Sequence, residues 1–212
     1  MRILETEGLI SVRRGNVGGA IVHRPTSERT ARMISMVLQT RATTADVSGA
    51  LTHLEPICAG LCAARPDRAS EVVPDLREVL AQQHADVDDP VKSSPSARLF
   101  HETLVQRCGS DTMIVVLGAP ETIWSAHESS VWDDAAAAPS GDDPNSPLAK
   151  RSRRAALRDH EKIRAAIEAG NEDRAAALAS AHLALTRNST LASSKHSTVQ
   201  ANLVGGVDLS SH

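Results

Sequence analysis

Apolar side chains recur every three or four positions through most of the chain from residue 27 to residue 187. This spacing is typical of amphipathic α-helices, which bury one face against a core. The pattern predicts seven helices, at residues 27–40, 44–64, 67–84, 96–108, 111–131, 153–169 and 172–187. We therefore predict a mainly α protein in which residues 25–190 form one antiparallel helical bundle.

The first 24 residues follow a different pattern. Residues 1–7 have the character of a helix end that stops at Gly8, and two short β-type runs follow at residues 9–12 and 20–23. The segment between these runs is rich in glycine and arginine, as in tight turns. We predict a β-hairpin with a basic tip. Such a hairpin is often no more than a turn, but the arginines favour a role in binding an anion.

Two segments lack the hydrophobicity needed for packing. Residues 133–144 combine acidic residues, four alanines, prolines and a glycine, and we interpret them as a surface insertion. Residues 191–212 are rich in Ser, Thr, Gly and Asn, and we interpret them as a disordered tail. The predicted organisation is therefore a domain at 1–24, a helical domain at 25–190 and a tail.

Composition and charge refine this picture. With one Phe, two Trp and no Tyr, the core must be built from Ala, Leu, Val and Ile, which suits close-packed helices. The formal charge is −3, yet residues 1–24 carry four arginines against two glutamates, a local charge of +2 that leaves −5 for the rest. This asymmetry indicates an anion-binding N-terminal end.

The cysteines and the hydropathy bear on location. The spacing of Cys58, Cys62 and Cys108 fits neither a disulfide framework nor a zinc knuckle, and agrees with a reducing cytoplasm. There is no signal-peptide core, and no run approaches the roughly 18 apolar residues of a membrane span. We expect a soluble cytoplasmic protein with no membrane partner.

Three histidines form the most informative constellation. Gly170 ends one helix and Asn171 begins the next, so the two helices should form an antiparallel hairpin. His160 and His182 stand about 15 and 17 Å from this turn and can face each other, while His101 lies on the apolar face of the 96–108 helix. Converging imidazoles suit a divalent ion such as Zn, Ni, Fe or Cu. The alternative is that they are hydrogen-bonded core residues.

Several motifs together resemble a known family. Residues 2–15 and 18–22 resemble the end of the recognition helix and the wing of GntR-family repressors of the FadR branch. Leu54-Glu55-Pro56 and residues 63–65 resemble the first helices of their FCD effector domain. Leu99-Phe100-His101, together with His160, Gly170-Asn171 and His182, is similar to that domain's metal-ligand pattern.

The resemblance implies a dimeric, allosteric transcription factor with a winged helix-turn-helix and a palindromic DNA operator. Its effector domain would bind a small carboxylate or related metabolite against a metal held by one Asp and three His. The metal ligands carried over are His101, His160 and His182, and we expect Arg98 and His127 to line the effector pocket. The residues expected to contact DNA are Arg2, Arg13, Arg14, Asn16, Gly18 and Gly19.

The sequence departs from the family in three places. Ala97 stands where the family has its metal-binding Asp, four residues before His101, and Leu51 stands where the family tends to carry an Arg. The front of the DNA-binding domain would precede Met1, which indicates either a start assigned too far downstream or a lost ability to bind DNA alone. The alternative function is therefore an effector-binding and dimerisation module without sequence-specific DNA binding.

An enzyme is the least supported class. The sequence shows no glycine-rich phosphate loop after a strand, no nucleophile signature and no paired carboxylates in a recognisable context. Three histidines alone leave a metal-dependent hydrolase open, but nothing marks a general base. We expect a regulator, not an enzyme.

Overall fold

The computed structural model describes residues 4–5, 10–13, 15, 18–23, 33–34, 36–38, 41–137 and 143–193. Two strands and seven helices lie within these residues. In chain order they are β1 (Ile10–Arg13), β2 (Gly19–Val22), α1 (Thr44–Ala64), α2 (Arg68–Glu71), α3 (Val73–Asp86), α4 (Ser93–Arg107), α5 (Asp111–Ala137), α6 (Pro147–Glu168) and α7 (Glu172–Ser193). The predicted mainly α fold with a preceding β-hairpin is confirmed.

The β-hairpin pairs β1 and β2 antiparallel, with Ile10 opposite Val22 and Arg13 opposite Gly19. Its turn depends on glycine, because a Cβ at Gly18 would lie only 2.7 Å from the carbonyl oxygen of Arg13. Among the residues expected to contact DNA, Arg13, Gly18 and Gly19 are exposed in this hairpin. The other three, Arg2, Arg14 and Asn16, lie outside the described residues.

Helix α1 is the central helix of the bundle. It packs against α4, α5, α6 and α7, and the Thr43 hydroxyl caps its N-terminus by accepting a hydrogen bond from the Asp46 amide at 3.1 Å. Small residues let α7 approach closely: the Cβ position of Gly60 lies 3.7 Å from the Cβ of Ala176. The side chains of α1 that face its neighbours are fully buried, among them Leu51, Cys58, Ala59 and Cys62.

Helix α1 is more apolar than we predicted from the lengths of the apolar runs in the sequence. By length and composition alone, α1 is the one helix among the described residues that could cross a membrane. Half of its most apolar window is buried inside the bundle. Its composition is therefore explained by its central position in a helical core.

Helices α6 and α7 form the predicted hairpin. Gly170 adopts a positive φ of 70°, and the amides of Gly170 and Asn171 donate to the carbonyl oxygens of Ile167 and Ala166 at 2.9 and 3.0 Å. This is a Schellman-type helix end, which favours glycine. The Asn171 side chain accepts from the Arg174 amide at 3.1 Å and so caps α7.

The prediction of a single helix at residues 67–84 is wrong, because this segment forms two helices in the structure. Helix α2 ends at Glu71 and α3 begins at Val73, with Pro74 in the first turn of α3. A proline has no amide hydrogen to continue the preceding helix, although it is well tolerated in a first turn. The remaining helix boundaries shift by a few residues, which is ordinary for helix ends.

The predicted surface insertion at 133–144 is also partly wrong. Helix α5 continues to Ala137, since a run of alanines has the highest helix propensity of any residue type. Helix α6 begins at Pro147, six residues before its predicted start. The Ser146 hydroxyl caps it by accepting from the Ala149 amide at 3.2 Å.

Two predicted segments lie largely outside the described residues. Of the predicted helix at 27–40, residues 33–34 and 36–38 are described, and they are helical. Helix α7 extends to Ser193, so the first three residues of the predicted disordered tail are helical and residues 194–212 are not described. The division at residues 24 and 190 stays a prediction.

We predict that Gly170→Ala lowers the free energy of unfolding by about 1–2 kcal/mol, the usual cost of a left-handed backbone for a residue with a Cβ. The added Cβ would also meet the Arg68 guanidinium at 2.6 Å. Urea denaturation measures the change. The matched control is Gly49→Ala in α1, where a Cβ meets no atom within 4 Å. It should stabilise the protein by about 0.5–1 kcal/mol. Equal effects at the two sites would contradict this account of Gly170.

Candidate functional site

The three predicted metal ligands converge inside the bundle. His101 lies on α4, His160 on α6 and His182 on α7. The Nε2 atom of His160 is 3.2 Å from Nε2 of His101 and 3.0 Å from Nε2 of His182. His160 and His182 are buried, and His101 is partly exposed. We call these residues the three-histidine cluster.

The opposite ring nitrogen of each histidine faces an oxygen atom. Nδ1 of His101 lies 2.5 Å from the Glu55 carboxylate, and Nδ1 of His160 lies 2.8 Å from the Gln83 amide oxygen. Nδ1 of His182 lies 3.9 Å from the Asp159 carboxylate. The oxygens beside His101 and His160 are at hydrogen-bonding distance and favour the hydrogen on Nδ1 of those two rings, whereas Asp159 is too far from His182 for a hydrogen bond. Nε2 of His101 and Nε2 of His160 then each direct a lone pair into the cluster.

The surroundings keep the buried rings neutral. Phe100 stacks on His160 with ring centres 4.2 Å apart and an angle of 10° between the planes. Burial, with a smaller contribution from the neighbouring histidines, lowers the pKa of His160 well below its usual range. Burial and the proximity of His101 lower the pKa of His182 to about 3. Neutral imidazole is the form that binds metals.

The spacing of the three Nε2 atoms fits a divalent metal ion. Metal–nitrogen bonds of about 2.0–2.1 Å place two ligand nitrogens about 2.9 Å apart at a right angle and about 3.4 Å apart at a tetrahedral angle. The observed separations of 3.0 and 3.2 Å lie between these values. Without a cation, the Nε2 lone pairs of His101 and His160 would face each other at 3.2 Å, because both rings direct an Nδ1–H at an oxygen.

A buried ion-pair network adjoins the cluster. Arg187 on α7 donates through Nη2 to Glu55 on α1 at 2.8 Å and to Glu121 on α5 at 3.0 Å. Its guanidinium carbon lies 5.1 Å from the centre of the Trp124 ring, a cation–π contact. All four side chains are buried. We call Arg187, Glu55 and Glu121 the Arg187 network.

The two carboxyl groups of this network differ in charge. Burial opposes ionisation of Glu55, but contact with His101 and with Arg187 outweighs it and lowers the pKa of Glu55 below its usual range. Burial, and then the negative charge of Glu55, raises the pKa of Glu121 well above its usual value. The network therefore favours the ionised form of Glu55 and the neutral form of Glu121.

Comparison with known proteins places this architecture. Residues 46–185 match the FCD domain. The chain belongs to the FCD family. In fold this FCD protein is similar to Streptococcus agalactiae GntR, at 19% sequence identity and a TM-score of 0.57, with 88% of this chain and 78% of that chain covered.

A second solved structure is similar to this FCD protein. It is a putative transcriptional regulator GntR from Rhodococcus sp. RHA1, at 17% identity and a TM-score of 0.48, with 92% of this chain and 78% of that chain covered. The search of curated proteins found no match. The FCD match supports the prediction that the chain is a regulator and not an enzyme, because the family is one of regulators.

The other predicted site residues are located as follows. Ala97 lies on α4 one turn before His101, and Leu51 is fully buried one turn before Glu55, so neither position supplies a charge to the site. Arg98 donates to the carbonyl oxygen of Ser125 at 2.6 Å and so connects α4 to α5. His127 is buried, with its ring 5.5 Å from that of Trp124. The role of Arg98 and His127 in an effector pocket stays a prediction.

The sequence reasoning did not single out the partners of the cluster. Gln83, Glu121 and Arg187 were missed, and Glu55 was noticed only as part of a family motif. The spacing of apolar residues could have indicated two of these residues. Arg187 follows buried Leu183 by four residues, and Glu55 follows buried Leu51 by four, so each is a charged residue at a core position of its helix.

We predict that Glu55→Gln costs much more stability than Glu121→Gln. Glu55 is the ionised partner of Arg187, and removing its charge leaves a buried guanidinium without a counter-charge, at a cost of about 3–5 kcal/mol. The surroundings favour neutral Glu121, so its replacement by an amide should cost less than about 1 kcal/mol. Guanidinium denaturation at pH 7 compares the two variants, which change the same atoms by the same chemistry. Equal losses would show that the two carboxyl groups share the charge evenly.

Proposed function

We propose that this FCD protein senses a small carboxylate through a divalent metal ion held by the three-histidine cluster. The observation that carries the proposal is the convergence of three Nε2 atoms at 3.0 and 3.2 Å, with Nδ1 of His101 and of His160 hydrogen-bonded to an oxygen. Such outer contacts fix the orientation of metal-binding histidines. His101, His160 and His182 would hold the ion.

The charges at the cluster favour an anionic ligand. A bound metal ion would act as a Lewis acid with an affinity for carboxylate oxygen. Three neutral imidazoles leave its double charge uncompensated, and Ala97 offers no carboxylate where the family carries Asp. The chain's residues orient the imidazoles and restrict water, while His101, partly exposed, marks the side open to a ligand.

We further infer that the β-hairpin contacts DNA phosphates and that the protein acts as a cytoplasmic homodimer. Arg13 is exposed at the end of β1, beside Gly18 and Gly19, whose lack of a side chain allows close approach to a phosphate backbone. We infer a dimer because a palindromic operator has two half-sites, and a two-fold symmetric protein places one DNA-binding domain on each. Phosphate contacts of this kind set affinity and its dependence on salt but do not select a sequence.

We predict that zinc raises the melting temperature of the parent protein by several degrees, and that acetate raises it further only when zinc is present. Ligands that bind only the folded state stabilise it by mass action, by about 2.7 kcal/mol at a hundredfold excess over Kd. His160→Ala should abolish both shifts. Differential scanning fluorimetry and the zinc content after dialysis measure these effects.

The matched control for the metal experiment is His53→Ala, which removes an exposed histidine of α1 and should leave both shifts intact. Ala97→Asp provides a gain-of-function arm. An added carboxylate one helical turn before His101 should tighten zinc binding, since it supplies a fourth ligand. If zinc shifts neither the parent nor Ala97→Asp, the three histidines are hydrogen-bonded core residues and the metal proposal is wrong.

We predict that Arg13→Ala weakens binding to duplex DNA by a similar factor for every sequence and reduces the slope of log affinity against log salt by about one. Fluorescence anisotropy with labelled duplexes of different sequence, at several salt concentrations, measures both quantities. The control is Arg77→Ala, an exposed arginine of α3 that pairs with Glu168. An unchanged salt slope for Arg13→Ala would exclude a phosphate contact at this residue.

A further inference from the structure

Arg187 has more hydrogen-bond donors than its network uses. A guanidinium carries five N–H groups. Only the Nη2 atom is engaged, with one hydrogen bond to Glu55 and one to Glu121. The Nε and Nη1 atoms are buried and have no acceptor in the part of the chain that the structure describes. Three charged donors therefore remain unsatisfied in a side chain that is 4% exposed.

This arrangement is costly unless something else accepts those hydrogen bonds. Buried donors are nearly always paired, and leaving a charged one unpaired costs more than leaving a neutral one. The flat face of the guanidinium is covered by Trp124, so the unused N–H groups lie along its edge. A guanidinium edge matches the two oxygens of a carboxylate in geometry and in charge.

The unsatisfied donors lie close to the three-histidine cluster. Glu55 joins the two, because one carboxylate oxygen contacts Nδ1 of His101 and the other contacts Nη2 of Arg187. Arg187 also follows His182 by five residues on α7, just over one helical turn. Glu55 and α7 thus connect the guanidinium to the cluster from two sides.

The chemistry of the two positions specifies the ligand further. A divalent metal ion and a guanidinium group both bind carboxylate oxygen. A ligand with two carboxylates can therefore occupy both positions at once.

We propose that Arg187 is the anion anchor of the effector site, and that the effector is a compact dicarboxylate with one carboxylate at the three-histidine cluster and the other on Nε and Nη1 of Arg187. This inference rests on the proposed function. Arg187 thereby supplies, from α7, the positive charge that Leu51 does not supply from α1. It is a binding residue and sets specificity by the distance between the two carboxylates.

The test compares succinate, a dianion, with butyrate, a monoanion of similar length, by calorimetric titration of the zinc-loaded full chain. The key variant is Arg187→Lys. It keeps a positive charge beside Glu55 and Glu121 but lacks the Nε–H and Nη1–H groups that would bind the second carboxylate of the ligand. We expect the parent to prefer succinate to butyrate by at least about tenfold and Arg187→Lys to lose that preference. The zinc content of the variant is measured before the titration, so that a lost preference is observed on a zinc-loaded site.

Arg77→Lys is the control, since it makes the same chemical change at an exposed ion pair and should retain the preference for succinate. A second measurement does not depend on the folding of any variant. In the parent labelled with nitrogen-15 arginine, succinate should shift the Nε–H resonance of the buried arginine, and butyrate should shift it much less.

Two results would overturn the inference. One is equal binding of succinate and butyrate by the parent, including no binding of either. The other is a parent whose Arg187 Nε–H resonance does not respond to succinate. The proposed metal site is tested separately, by the effects of zinc and acetate on the melting temperatures of the parent and of His160→Ala. If Arg187 does not bind the ligand, the proposal of a metal site is therefore unaffected. Failure of zinc binding would remove the proposed function instead.

Discussion

The buried carboxylate of Glu55 holds this structure together. It lies on the central helix α1 and has no contact with solvent, and each of its oxygens meets a different helix, through His101 on α4 and through Arg187 on α7. A charge in a helical core destabilises the fold unless it is paired and hydrogen-bonded. Because both partners are required, the positions of α4 and α7 against α1 are fixed together, and the three-histidine cluster takes its geometry from that arrangement.

The rest of the bundle allows these contacts at short range. Alanine, glycine and cysteine on α1 let neighbouring helices approach, as at Gly60 against α7. Close approach brings short side chains such as histidine within reach of one another across helices, and Phe100 and Trp124 cover the flat faces of His160 and Arg187. With so few aromatic residues in the chain, two of them packed directly on polar groups indicate that the core is organised around this site.

Much of the fold and part of the site followed from the sequence. The helices were predictable because apolar spacing persists through them, and His160 and His182 were predictable neighbours because they lie at similar distances from the Gly170 turn. The break before Val73 was not predicted, since its proline also suits a helix start, and the alanines at 135–137 were taken for an insertion although they favour helix. Glu121 and Arg187 could not be paired from sequence. Periodicity shows that a charged residue faces the core but not which distant helix carries its partner.

The pairing of Glu55 with Arg187 spans 132 residues of chain. During synthesis, α1 leaves the ribosome long before α7 exists, so the face of α1 that packs on α7 and the Glu55 oxygen that meets Arg187 have no partner until α7 has been made. Closure of the bundle is therefore a late, long-range event, and its loop-closure entropy is recovered only when α7 docks. Nascent chains would expose that face of α1 throughout the interval, because of the order in which the helices are made.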